Sequence, residues 1–96
     1  MIFIVLARDN PDMLSSRLAH RQRHLDYWTS QPGVVKVAGA MLRGTESEGS
    51  AFLIEADDEV AVRALLAADP FTLEKIFSSD IHIQAFRPAI GAWYPA

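Results

Sequence analysis

The sequence predicts an α+β fold of element order βαββαβ, the ferredoxin-like arrangement of a four-stranded antiparallel sheet with two helices on one face. Three observations predict it. The chain opens on a continuous apolar run, Ile2–Ala7, which suits a strand and is too short to span a membrane. Two segments with helically spaced apolar residues follow, stopped at Gln31-Pro32-Gly33 and at Asp69-Pro70. Asp80–Arg87 then alternates, with Ile81, Ile83 and Ala85 on one side and His82, Gln84 and Phe86 on the other.

Taken in order, Ile2–Ala7 reads as a strand buried on both faces. Asp9-Asn10-Pro11-Asp12 breaks it and offers a helix start, with a polar cap and a proline in the first turn. The helix runs to about Ser30. Val34–Leu42 reads as the second strand, with Gly39 a point of bend or close backbone approach. Arg43–Ser50 reads as a polar hairpin loop, and Ala51–Ala56 as the third strand. Asp57-Asp58-Glu59 supplies acidic residues at the positive end of a second helix. That helix is expected to bury Val60, Val62, Leu65 and Leu66 and to end near Asp69-Pro70. Phe71–Phe77 looks like a short helical turn before the last strand, Asp80–Arg87. Residues 89–96 form a loop-like tail holding Ile90, Trp93 and Tyr94, apolar side chains that are costly to leave in water.

Two helices cover one face of such a sheet, yet strands one to three are apolar on both sides. A homodimer that packs sheet on sheet would cover the other face and leave cavities between sheet and helix edges. The length of 96 residues fits one domain, residues 1–96, and small cores are often supplemented by oligomerisation. A net charge of −3 argues against nucleic acid or an anionic membrane as the main partner. The absence of cysteine excludes a disulfide, a zinc–thiolate site and a thiol nucleophile. The apolar opening lacks a basic leader region, so the cytoplasm is the expected compartment.

The candidate chemistry lies on the first helix. At about 100° per residue, Leu14, Leu18, Leu25 and Trp28 form an apolar stripe, and Arg17, Arg21 and His24 fall along its border. An imidazole there would be half dry beside two cations, which disfavour protonation and keep the ring neutral, as a general base requires. The competing reading is a boundary histidine at the edge of the core. Arg17 or Arg21 would anchor a substrate carboxylate or phenolate; otherwise each would form a surface ion pair with Asp12 or Asp26. Asp69 is by local pattern a turn residue at a helix end. Its functional alternative is a carboxylate that accepts a histidine N–H and stabilises the imidazolium. His82 belongs either to a cavity wall or to the sheet surface, and His20 lies outside the arginine–histidine arc.

Other chemistries find little support. His20 and His24 have the i, i+4 spacing of metal ligands but lack a nearby acidic third ligand, so no metal is expected. Ser15-Ser16 and Ser78-Ser79 lie outside any nucleophile elbow, and the sequence contains no phosphate-cradling loop or dinucleotide fingerprint, so no cofactor is expected.

Four segments together are similar to the YciI-like (YCII-related domain) family: Phe3–Asp9, the helix stretch Arg17-Leu18-Ala19-His20-Arg21-Gln22-Arg23-His24-Leu25, Val37-Ala38-Gly39, and Ala68-Asp69-Pro70-Phe71. The resemblance implies a ferredoxin-like fold paired into a dimeric α+β barrel, and a site that couples His24 with Asp69. One branch of that family removes chloride from a chlorinated hydroxyhydroquinone, and the muconolactone isomerases are similar in fold. Ala40 stands where family members commonly have proline, and the hairpin after it is short.

These readings converge on a small cofactor-independent lyase or isomerase acting on an anionic or aromatic small molecule. His24 would be the general base and Asp69 its orienting partner. Arg17 or Arg21 would hold the developing anion, with Gly39 and Phe71 beside the ligand. The alternative is a non-catalytic dimeric binding or interaction module. Cofactor-free monooxygenase chemistry, suggested by fold alone, ranks third.

Overall fold

The computed structural model describes residues 1–93 and has the predicted α+β architecture. Its elements are β1 (Ile2–Asp9), α1 (Leu14–Thr29), β2 (Val35–Arg43), β3 (Glu46–Glu55), α2 (Glu59–Ala67), α3 (Pro70–Leu73) and β4 (Phe77–Phe86). The strands form one antiparallel sheet in the order β2-β3-β1-β4. The apolar opening run thus becomes a central strand.

Register separates the two faces of the sheet. Phe3 sits opposite Ile54, Val5 opposite Phe52 and Ile83, and Ala7 opposite Ser50 and Ile81. These side chains face the helices, where Val5, Ala7 and Ile54 are fully buried and pack with Trp28, Val62, Phe71 and Ile76. Ile4, Leu6, Leu53 and Ala51 alternate with them and point away. They are half-buried, so β1 is buried on one face within this chain rather than on both.

The helix ends follow local chemistry. Asp58 caps α2 by accepting from the Ala61 N–H at 2.8 Å, as its acidic start predicts. Asp69 caps α3 in the same way through the Phe71 N–H at 2.9 Å, with Pro70 in the first position, where its missing donor costs nothing. The start of α1 differs from expectation. Pro11 and Asp12 form a turn outside the helix, Asp12 takes a positive φ of 61°, and Met13 precedes the helix without a side-chain cap. The polar residues are engaged elsewhere. Asp9 binds Arg17, while Asn10 Nδ2 donates to the Lys75 and Phe77 carbonyls at 2.9 and 3.3 Å. Asn10 so ties the end of β1 to the segment behind α3.

Other boundaries move because strand pairing outlasts apolar character. The expected eight-residue hairpin loop shrinks to a turn at Gly44-Thr45, and its flanks pair as Leu42 with Ser47 and Arg43 with Glu46. β4 likewise starts at Phe77, which is buried and pairs with Asp9. A Cβ on Gly49 would lie 2.6 Å from the Ala7 carbonyl oxygen, so only glycine allows β3 to approach β1 this closely. On α2, Val62 and Leu66 are buried and Leu65 is partly so, whereas Val60 is 76% exposed at the solvent side of the first turn. In the tail Ile90 and Trp93 are exposed, and Tyr94 lies outside the described residues. No helix among the described residues is long and apolar enough to cross a membrane.

Candidate functional site

The inward seam of α1 carries the site. Its buried residues are Arg17, His24 and Trp28, whereas Leu18 faces solvent at 64% exposure. Of the three polar residues expected along the border, Arg17 and His24 therefore sit at the centre of the buried face, whereas Arg21 is exposed. That placement is stable because each inward polar group finds a partner. A buried polar group is costly only when left unpaired.

His24 is 7% exposed and Asp69 is fully buried. Nδ1 of His24 lies 2.8 and 2.9 Å from the two carboxylate oxygens of Asp69. The carboxylate also accepts from Trp28 Nε1 at 2.8 Å and from the Phe71 N–H at 2.9 Å. With three donors around it, Asp69 can remain an acceptor toward Nδ1, which fixes the ring's orientation and the proton on that nitrogen. Nε2 has no hydrogen-bond partner among the described residues and is not sealed from the surface. The imidazole stacks on Phe71 with ring centroids 3.9 Å apart and planes 5° from parallel. Asp69 is thus a cap residue and a histidine partner at once, and the two readings of its sequence context do not compete.

Arg17 makes neither of the surface pairs considered, with Asp12 or with Asp26. Its Nε and Nη2 donate to the two oxygens of Asp9 at 2.7 and 2.9 Å, and Nη2 also donates to Ser50 Oγ at 2.9 Å. The ion pair is almost dry, both side chains being 6% exposed. The guanidinium carbon lies 4.7 Å from the centre of the Phe71 ring, within cation–π range. Asp9 offsets the charge of Arg17, and the one charged group bonded to the imidazole is Asp69 rather than either arginine. Nearby, burial pushes the Tyr27 phenol up from its ordinary value, and the Asp69 charge acts in the same direction.

A cavity of about 450 Å³ runs between α1 and the edge strand β2. Arg17, His24, Ser50 and Phe71 line its chemical end; Leu25, Trp28, Pro32 and Val35 line an apolar stretch, and Arg21 is exposed at the rim. Ala38 and Ala40 lie opposite Phe52 and Ser50 on the helix side of the sheet, so their small side chains leave this groove open. Gly39 also lines it, but a Cβ there would meet nothing within 4 Å, so the expected steric need for glycine is not found within this chain. A wider depression of about 610 Å³ lies over Tyr27, Ala61 and Glu55, whose carboxylate is held by the N-terminal amine.

The remaining histidines lie apart. His82 is exposed on the uncovered face, with Nε2 3.0 Å from Gln84 Oε1, and His20 sits on the outer side of α1 near Arg23 and Glu74. No group of three metal-ligating side chains occurs among the described residues. Sequence reasoning missed Asp9, Ser50 and the Trp28 N–H. For Asp9 a faint signal existed, an acid eight residues before an inward arginine; Ser50 had none.

Comparison with solved structures supports the architecture. The chain is similar to 5-chloro-2-hydroxyhydroquinone dehydrochlorinase (TftG) from Burkholderia phenoliruptrix, solved in complex with 2,5-dihydroxybenzoquinone. The TM-score is 0.85 at 23% identity, covering 93% of this chain and 96% of that one. An antibiotic biosynthesis monooxygenase from Bacteroides thetaiotaomicron, so described provisionally, gives a TM-score of 0.59 at 16% identity, covering 96% of this chain and 91% of that one. A NIPSNAP domain protein from Burkholderia xenovorans gives 0.53 at 18%, covering 99% of this chain and 98% of that one. At these identities the likeness shows the fold alone. Comparison with curated proteins gives no match. The model of the YCII-related domain matches residues 1–83, the span that contains every residue of the cavity described above, and the chain belongs to that family.

Proposed function

We propose that this protein is a small enzyme, a lyase or isomerase that acts on an anionic or aromatic small molecule by general acid–base chemistry requiring no cofactor. The observation that carries this reading is the buried contact between His24 Nδ1 and Asp69, which leaves Nε2 at the cavity. Nε2 accepts a proton from the ligand, and the Asp69 carboxylate stabilises the imidazolium that results. Positioned bases of this kind contribute about 10²–10⁴-fold in rate. Trp28, Phe71 and the apolar stretch of the groove suit a flat ring. A chlorinated hydroxyhydroquinone is the first substrate to test, given the similarity to the dehydrochlorinase.

Replacing His24 with Ala is expected to abolish turnover while circular dichroism stays unchanged. Turnover that survives in the folded variant rejects the mechanism. Binding without turnover in the wild type favours a non-catalytic binding module instead.

The assembly belongs to the same proposal. Ile4, Leu6, Leu53 and Val37 share the uncovered face of the sheet, and a second copy packed face to face removes them from water. The exposed Ile90 and Trp93 of the tail seal that contact rather than close the cavity. Sedimentation equilibrium of a cytoplasmically expressed sample is expected to give a dimer, and a monomer at micromolar concentration rejects it.

A further inference from the structure

We infer that Ser50 and Arg17 together form an oxyanion cradle in the cavity, with Ser50 as a ligand-binding residue. This rests on the reading of the cavity as a small-molecule site and adds the chemical group it recognises, an oxygen anion on a flat body. Ser50 is 2% exposed and Arg17 is 5% exposed, yet both line the cavity. The Ser50 oxygen accepts from Arg17 Nη2 at 2.9 Å, and that acceptance turns the hydroxyl proton elsewhere. That proton has no acceptor among the described residues, although a buried hydroxyl ordinarily donates.

Arg17 shows the same incompleteness. Nε and Nη2 are used on Asp9 and Ser50, while Nη1 has no partner among the described residues and is not sealed from the surface. Asp9 grips two of the guanidinium nitrogens, so the third is held in place without reorganisation. Two fixed, unused donors therefore belong to one hydrogen-bonded unit at the end of the cavity that also holds His24. Ala40, opposite Ser50 across β2 and β3, leaves the space beside the hydroxyl open. An anion fits this arrangement better than a neutral carbonyl, because charge-assisted hydrogen bonds are about twice as strong as neutral ones. A phenolate, enolate or carboxylate oxygen offers the same acceptor.

Three probes distinguish these sources and test the cradle: 4-nitrophenolate, benzoate and neutral nitrobenzene, titrated against wild type, Ser50→Ala and Ser50→Cys. The phenolate absorption band reads the first directly, and calorimetry reads the other two. The expected result is that Ser50→Ala weakens binding of 4-nitrophenolate, benzoate or both by about 10- to 100-fold. Nitrobenzene binding stays within about twofold in that variant. Ser50→Cys keeps the volume with a weaker donor and is expected to fall between; it carries the test if Ser50→Ala does not fold. Equal affinity of Ser50→Ala and wild type for both anions overturns the cradle, as does wild-type binding of nitrobenzene as tight as either anion. Failure of all three probes to bind wild type overturns it as well. None of these outcomes touches the His24→Ala turnover test, so the cradle and the proposed activity fail separately.

Discussion

Trp28 Nε1 donates to Asp69 Oδ2 at 2.8 Å, and the donor lies one helical turn beyond His24, which approaches the same carboxylate through Nδ1. Residues four apart on a helix share a face, so one carboxylate, that of the residue capping α3, fastens two successive turns of α1. The indole is thereby part of the histidine's setting as well as part of the core.

Replacing Trp28 with Phe separates these roles, since an aromatic ring remains but the donor is lost. Asp69 stays fully buried with one donor fewer. The expected cost is about 1–3 kcal/mol of stability, from the unmet carboxylate lone pair. Under the proposed mechanism kcat falls more than KM rises, because the carboxylate supports the imidazolium formed during reaction. Urea denaturation and steady-state kinetics check the two parts. A variant as stable as wild type means that the indole N–H contributes nothing to holding Asp69.

The buried Asp9–Arg17 pair makes a sharper prediction. Both side chains are 6% exposed, so removing one partner strands a charge away from water. Asp9→Ala is expected to cost about 3–5 kcal/mol. The double replacement Asp9→Ala with Arg17→Met is expected to recover most of that loss, because no charge then remains buried. Denaturant midpoints of the wild type, both single variants and the double variant complete the cycle. Additive losses in the double variant contradict a coupled pair.

The contrast between these residues and the strands explains how much of the molecule was legible beforehand. Element order and fold class were readable because apolar periodicity, proline and glycine are local signals, and Ile2–Ala7 or Ile81–Ala85 carry them plainly. His24 and Asp69 could be named from their motif context. The orientation of α1 was not legible. Counting apolar residues placed Leu18 inward and Arg17 at a border, whereas Arg17 is buried and Leu18 is 64% exposed. The seam is set by hydrogen-bond partners on β1, on β3 and at the cap of α3, separated from Arg17 and His24 by up to 45 residues, as in the His24–Asp69 contact. Periodicity within one helix contains no information about such partners. Ser50 illustrates the same limit, since only its register opposite Ala7 and Ala40 brings it to the cavity.

Thr72 offers a test in the stabilising direction. Its Oγ1 is buried and has no hydrogen-bond partner among the described residues. A valine has nearly the same shape and replaces the stranded hydroxyl with a methyl group. Thr72→Val is therefore expected to gain about 1 kcal/mol, the lower end of the cost of an unpaired buried polar group. A higher denaturant midpoint with an unchanged slope is the signature. An unchanged or lower midpoint means that the hydroxyl is satisfied in solution.

At alkaline pH the phenol of Tyr27 controls one contact between α1 and α2. Its hydroxyl donates to the Leu65 carbonyl at 2.6 Å. Burial pushes the phenol up from its ordinary value of 10.0; a hydrogen bond with the Gln31 side chain opposes the rise in part, and the charge of Asp69 adds to it. The folded protein thus holds this proton more tightly than the unfolded chain does. The sign of the linkage follows: the contribution to stability is whole below the unfolded value and is lost as pH rises through the higher folded value. Wild type is expected to lose more melting temperature than Tyr27→Phe between about pH 9 and pH 11, because the variant has no phenol to ionise at this position. The lysines titrate in both proteins, so the difference between the two curves isolates Tyr27. Parallel curves across that range refute the link between this hydrogen bond and alkaline stability.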